Sequence, residues 1–488
     1  MKRIICFVLV LLMVGSLFAS CANGGEAGVE TSGTADTSAV SDTEAANDSS
    51  AETDPAETTA ELTTEVTTEL VTEAETEPPV VLTEFDLSKF RIVYKGDDMK
   101  SVADELQRQI KTKTNIELEV ISNADAKEAA DYEFVIGKTN RAISTTCFNF
   151  KKFDYVNCVG IYCEDGKVQF LGIDRATARD SVKYLANTIV EGATTVGLPE
   201  SGAFCEAISL ADNGIPEKAD SSYLRVVTNN IRMCSITETS SSAALQNRVT
   251  ELMSAYLLMD PDVIMFQEAD KAWYTDYALV KNMRDIGYSY VSTKQDTNPV
   301  ALFYKTDRFN MLEADFVKYD SSMIEGGPYS GRYYTYAVLE ENGTGKQIVV
   351  TSTHFVAGIT NVSTEICEIY RQESAKQLSA FSKTIRDKYP KASVIMGGDY
   401  NSDLSSESFR IMSESLLYSR DTAEKTVNMN YQTTNSLGKK PARGNPPKVI
   451  DHIFYTNTGL TVKHYEVVVS KYSYVYSDHV PVLVDFEW

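Results

Sequence analysis

The chain has 488 residues, 69 of them acidic against 46 basic, for a formal net charge of −23. That length implies roughly two to four domains of ~100–200 residues each. The acidic balance and the lack of a basic stripe argue against binding to duplexes by charge alone, and leave nucleic acid open as a substrate.

In chain order, Lys2 and Arg3 precede the apolar run IICFVLVLLMVGSLF, and small residues follow it. This layout predicts a signal peptide over residues 1–20, too short to span a bilayer comfortably. Cys21, directly after Ala19 and Ser20, resembles the cysteine of a bacterial lipobox. That implies a lipidated cysteine and an extracytoplasmic protein that meets the membrane only through its anchor, or else a plainly secreted one. Residues 22–79 carry fifteen acidic side chains and no lysine or arginine, among Thr, Ala and Ser. A segment this polar and self-repelling offers too little apolar surface to offset chain entropy, so residues 21–83 read as a stalk.

Residues 84–212 alternate strand and helix. FRIVYK, IELEVIS and YEFVIGK are predicted strands, and GIYCEDGKVQFLG is a hairpin turning at Asp165–Gly166. DMKSVADELQRQIKTKT places Val102, Leu106 and Ile110 on one helical face, and RATARDSVKYLANTIV reads as a second helix. The expectation is a small α/β accessory domain. GKT at Gly137–Thr139 is not a phosphate loop, because Tyr132 stands where that motif needs its first glycine. Six cysteines lie beyond Cys21, none in C-x-x-C spacing, which argues against a zinc site and leaves one disulfide possible among the four between 147 and 205.

NGIPEKADSS, residues 213–222, reads as a linker. From 223 to 488 the chain is strand-rich: LRVVTNNIR, DVIMFQEA, PVALFYK, RYYTYAVLE, QIVVTSTHF, SVIMGGDYN, VIDHIFYT and VPVLVDFEW. Several are apolar on both faces, as in sheets buried between layers. Helices are expected near 243–259 and 365–388, the second turning Ile366, Ile369, Tyr370, Leu378, Phe381 and Ile385 inward.

Polar residues recur where these strands stop. Asn230 ends the first, Glu268 the second and His354 a later one. Asp399 and Asn401 close IMGGDYN, Asp451 and His452 open DHIFY, and Asp478 and His479 precede the last strand. Each alone has a structural explanation. The set uses three of the four histidines, and strand ends are where α/β sheets hold ligands. His452 follows Asp451 in a strand, so the two point to opposite faces and His452 is expected to pack away from the site. His464, without a carboxylate in motif spacing, reads as a surface residue. The basic stretch KKPARGNPPK, with Lys439, Lys440, Arg443 and Lys448, is either a solvated turn or a loop that meets an anion.

The ordered pieces TNNI, DVIMFQE, STH, GGDYN, IDHIF and SDH resemble the endonuclease/exonuclease/phosphatase superfamily, the fold of DNase I. The resemblance implies a four-layer α/β sandwich, two packed β-sheets flanked by helices, behind the smaller N-terminal α/β domain. It implies hydrolysis of a phosphodiester or phosphomonoester with Mg²⁺ or Mn²⁺. Glu268 and Asn230 would hold the metal, with Asp478 as a second carboxylate. His479 would be the general base or a charged donor to phosphate, with Asp451 as its partner. Asp399 would orient or deprotonate water, and Asn401 and His354 would donate to phosphoryl oxygens. The phosphoester substrate, whether nucleic acid, phospholipid headgroup or sugar phosphate, stays open. The alternative expectation is a non-catalytic surface protein that keeps the fold and binds a glycan or other ligand.

Overall fold

A computed structural model describes residues 6–7, 82–155, 158–207, 214–234, 242–295, 297–322, 331–358 and 362–488. The signal peptide apart from Cys6–Phe7, together with Cys21 and the stalk up to residue 81, lies outside them. Among the described residues no helix is long and apolar enough to cross a membrane.

Two sheets stack in the C-terminal part. Six strands carry the argument: β1 (Leu224–Asn230), β2 (Val263–Gln267), β3 (Gln347–His354), β4 (Ser393–Asp399), β5 (Asp451–Tyr455) and β6 (Val482–Glu487). The first sheet has β2, β1 and β6 as neighbours at its centre, and the second has β3, β4 and β5 in a row. Successive residues of each strand serve different cores, as the two-residue side-chain period demands. Val226, Met265, Val350, Ile395, Ile453 and Val482 interleave between the sheets. Val227, Ile264 and Leu483 face the other way, onto Leu252, Met253 and Tyr256 of the helix Ser242–Met259. Val349, Val394 and Phe454 likewise meet Ala375, Leu378 and Ile385 of the helix Thr364–Lys388. Helix, sheet, sheet and helix make four layers, which is why these strands are apolar on both faces.

The two glycines of GGD answer to this packing. A Cβ on Gly397 would lie 2.6 Å from the Met265 sulfur across the inter-sheet core, and one on Gly398 would lie 2.2 Å from the Thr353 carbonyl oxygen.

The N-terminal α/β part is a sheet in the order Phe204–Glu206, Gly160–Glu164, Lys167–Phe170, Glu133–Ile136, Arg91–Tyr94, Glu119–Ser122, with Cys6–Phe7 paired to its first edge. The helices Asp97–Thr114, Ala142–Phe150 and Arg175–Thr188 accompany it, the middle one unexpected from sequence. Buried Glu133 is paired with both Arg91 and Arg141. Gly137 belongs to no phosphate cradle: its φ of +79° turns the chain, and a Cβ there would meet the Lys95 carbonyl oxygen at 2.8 Å. The six cysteines after Cys21 are buried, and no disulfide joins them.

Within residues 213–222, the described 214–222 are packed: Ile215 is buried, Lys218 pairs with Asp262, and Arg225 donates to the Pro216 carbonyl. Two expectations need correcting. His464 is no surface residue. It is buried, and its Nε2 lies 2.9 Å from Oε2 of Glu466, because the strand period puts residues 464 and 466 on one face. Ile369, expected in the core, is exposed at the outer side of its helix.

Candidate active site

The topology explains why the polar strand ends meet. β1 and β2 run parallel, with Asn230 opposite Gln267, so Asn230 and Glu268 leave the first sheet at the same end. In the second sheet His354 is opposite Asp399, and Asp399 is opposite Asp451, one residue from each of three adjacent strands. β6 is antiparallel to β1, so its preceding residues Asp478 and His479 lie beside the exit of β1. Ser477 Oγ fixes that neighbourhood by donating to the Asn230 carbonyl at 2.6 Å.

Asp399 is the centre of the cluster. Its Oδ2 accepts a hydrogen bond from Asn230 Nδ2 at 3.0 Å, and lies 3.4 Å from His354 Nε2 and 3.9 Å from His479 Nε2. Its Oδ1 accepts the Asn401 N–H at 2.9 Å. Burial and the neighbouring Asp451 push the Asp399 carboxyl above the usual range, against the opposing pull of His479 and its hydrogen bonds.

Each histidine has a backing group. His479 Nδ1 is 2.9 Å from Asp451 Oδ2, and both residues are buried. Burial alone would lower the His479 pKa, but the charge and hydrogen bond of Asp451, with Asp399 and Asp478 behind, raise it to about 10. His354 Nδ1 is 3.3 Å from Nη1 of Arg332. A guanidinium only donates, so His354 Nδ1 accepts and its proton sits on Nε2, facing Asp399. Burial first, then the charges of Arg332 and His479, keep this imidazole neutral. His452 points away from the cluster, as strand alternation requires. It is held between Tyr418 Oη and the Ser402 carbonyl, and burial lowers its pKa to about 4.

Glu268 stands at the rim. Its Oε1 accepts from Asn230 Nδ2 and its Oε2 from the Met233 N–H, both at 3.0 Å. Each Glu268 oxygen keeps lone-pair capacity, and a carboxylate suits a hard cation such as Mg²⁺ or Mn²⁺; Asn230 beside it turns Nδ2 to Glu268, while its Oδ1 accepts the Arg232 N–H at 2.9 Å. Asp478 is differently placed: its Oδ2 takes Arg232 Nη1 at 2.7 Å, so a cation there would compete with a guanidinium. Ligand atoms of Asp399, Asp451 and His479 also lie within 4.8 Å of one another. One imidazole nitrogen of that trio is already committed to Asp451, so its chemistry is that of proton and hydrogen-bond transfer. Asn401 donates Nδ2–H to the Phe355 carbonyl at 3.2 Å.

Arg232, Glu268 and Asn401 all have positive φ, +56°, +60° and +49°. Non-glycine residues in that region store strain that the surroundings must hold in place. Arg232 and Arg332 were missed as site residues from sequence. Arg232 was visible two residues after Asn230 in TNNIR, whereas Arg332 had no signal beyond opening RYYTYAVLE.

Residues 230–479 match the endonuclease/exonuclease/phosphatase family, a span bounded by Asn230 and His479 themselves. The chain is 22% identical over 287 residues to tyrosyl-DNA phosphodiesterase 2 of Xenopus laevis, covering 58% of this chain and 69% of that protein. It is 23% identical over 274 residues to the CCR4-Not complex 3'-5'-exoribonuclease subunit Ccr4 of Yarrowia lipolytica, spanning 45% of this chain and 39% of that protein. Among solved structures, the mannosyl-6-phosphatase Bt3783 of Bacteroides thetaiotaomicron is 20% identical, with a TM-score of 0.43, over 54% of this chain and all of that one. The site sits inside the matched span, and on that ground the chain belongs to the endonuclease/exonuclease/phosphatase family and is a phosphoester hydrolase.

Proposed function

We propose that this hydrolase cleaves its phosphoester by attack of a water held at Asp399, with the charge on the phosphoryl group met by two imidazole N–H groups. The observation that carries the reading is the convergence of His354 Nε2 and His479 Nε2 on one Asp399 oxygen, at 3.4 and 3.9 Å. A phosphoryl oxygen placed between them would accept from both. His479, with Nδ1–H donated to Asp451, serves as a charged donor rather than as the base. Asp399, held by Asn230 and the Asn401 N–H, is the group left to orient the water and take its proton as the new P–O bond forms and the ester P–O bond breaks. His354 donates from the tautomer that Arg332 fixes.

Glu268, with Asn230, would hold Mg²⁺ or Mn²⁺. A divalent cation there supplies neutralisation of phosphoryl charge that the side chains alone do not. The relatives' names span DNA, RNA and sugar phosphate. A phosphodiester or phosphomonoester of any of these classes suits the cluster.

The test is hydrolysis of bis-p-nitrophenyl phosphate and p-nitrophenyl phosphate by the purified chain with Mg²⁺, with Mn²⁺ and with EDTA. Metal-dependent turnover lost in His479→Ala supports the reading. Folded protein that turns over neither compound at any metal concentration sinks it. We further place the enzyme outside the cytoplasm, on the sequence of residues 1–21. Labelling by a palmitate analogue that is unchanged in Cys21→Ser would remove the anchor.

A further inference from the structure

The basic stretch that sequence alone left undecided is fastened to the catalytic pair. The backbone of Thr433–Asn435 runs beside Asp478–Val480: Thr434 bridges His479, the Asn435 N–H donates to the Asp478 carbonyl at 2.7 Å, and the Val480 N–H donates to the Thr433 carbonyl at 2.9 Å. Beyond Asn435 the chain turns back as a hairpin. Tyr431 bridges Arg443, the Gln432 N–H donates to the Ala442 carbonyl at 3.0 Å, and the Gly444 N–H to the Asn430 carbonyl at 2.9 Å. The Asn435 side chain latches the hairpin down, donating from Nδ2 to the Lys439 carbonyl at 2.9 Å and to the Ser477 carbonyl at 3.2 Å. Lys439, Lys440 and Arg443 are all exposed on it.

The charges of these three cations are not cancelled by ion pairs among the described residues. Arg232, Arg410 and Lys463, for comparison, are each paired with carboxylates. Among the described residues, no carboxylate lies within ion-pair distance of Lys439, Lys440 or Arg443. Lys440 and Arg443 instead converge on one Tyr431 ring, 5.3 and 4.8 Å from its centroid. Two like charges gathered over a ring, on a hairpin pinned by backbone bonds, leave a positive field that nothing nearby neutralises. The nearest catalytic groups, Asp478 and His479, are reached through single hydrogen bonds. Charge on a hairpin whose base is bonded to the Asp478 backbone is felt over a Debye length of roughly 10 Å at 0.1 M salt.

We propose that this hairpin is a docking element for a second anionic group on the substrate, so that the enzyme selects phosphoesters carrying a further phosphate beside the scissile one. The inference rests on the phosphoesterase reading above and specifies its substrate class. Lys439, Lys440 and Arg443 act there as specificity residues, through charge, with Asn435 setting their distance from His479.

The experiment compares two esters with the same scissile bond, the p-nitrophenyl esters of thymidine 5′-phosphate with and without a 3′-phosphate, using the full chain with Mg²⁺ or Mn²⁺. At low salt the 3′-phosphate should lower KM roughly tenfold, the size of a few screened charge contacts. That advantage should vanish in 0.5 M NaCl and in the Lys439→Ala/Lys440→Ala/Arg443→Ala variant, and reverse in the Lys439→Glu/Lys440→Glu/Arg443→Glu variant. Equal KM values for the two esters in the unaltered chain, or an advantage that survives in both variants, overturn the docking element while the phosphoesterase stands. Turnover of neither ester overturns both.

Discussion

Nδ1 of His479 lies 2.9 Å from Oδ2 of Asp451, although 28 residues separate the two in the chain. Asp451 has no exposure and its other oxygen, Oδ1, has no hydrogen-bond partner among the described residues. A buried carboxylate left half-satisfied is costly unless a charge faces it. The imidazolium of His479 is that charge.

One consequence concerns protonation. In the metal-free protein, His479 should stay protonated through neutral pH, since its pKa is raised to about 10. Nitrogen-15 NMR of the ring should show both nitrogens protonated at pH 7.5. In Asp451→Asn the largest supporting charge is gone, and the midpoint should fall by more than one unit. A His479 that titrates near 6.5 in the unaltered chain contradicts the pairing.

Catalysis should fall with either partner. His479→Ala and Asp451→Asn should each lower kcat by about 10²–10⁴, the usual contribution of a positioned proton donor or acceptor. Circular dichroism of His479→Ala should remain that of the unaltered chain. Arg332→Ala acts one step further back, by freeing the His354 tautomer. It should lower kcat more than it raises KM, and Arg332→Lys, which still donates, should recover part of the loss.

Metal binding gives a separate readout. Glu268→Gln keeps the shape of the side chain and removes its charge. Titration calorimetry with Mn²⁺ should show affinity reduced by at least tenfold, while the fold stays intact. Affinity unchanged by Glu268→Gln would place the cation elsewhere.

Stability has its own pH signature, away from the site. Burial, opposed by Arg248 and aided by Asp174, raises the Glu251 carboxyl from 4.5 to about 8. The folded chain therefore holds a proton that the unfolded chain has lost between those pH values. The contribution from Glu251 is intact below pH ~4.5 and disappears as pH rises towards 8. Glu251→Gln should raise Tm at pH 8.5 and flatten the decline in Tm between pH 6 and 8.5. A variant that melts at or below the unaltered chain at pH 8.5 would refute this.

In the C-terminal part, most strands read from sequence were those buried on both faces, because continuous apolar runs leave no other explanation. Phe309–Lys318 and Thr461–Val467 escaped notice for the converse reason: NMLEADFVK and TVKHYEV mix charges into partly exposed strands and carry no strong period. The helix Ala142–Phe150 is short, and its Phe150 is exposed.

The identities of the site residues were legible because a strand that ends in a carboxylate, amide or imidazole breaks its own apolar pattern. His452 could be turned away from Asp451 by alternation alone. What the chain did not disclose was which ends share one edge. Asn230, His354, Asp399, Asp451 and His479 come together only because parallel pairing aligns β1 with β2 and β3 with β4, while antiparallel pairing brings β5 and the approach to β6 to the same edge. Nor did it disclose Arg332, whose role exists only through the nitrogen of His354 that it faces, or the partner that buries His464. Composition and period fix what a residue is and which face it takes. Its neighbours from distant segments, and so its charge and proton, are set by register and packing.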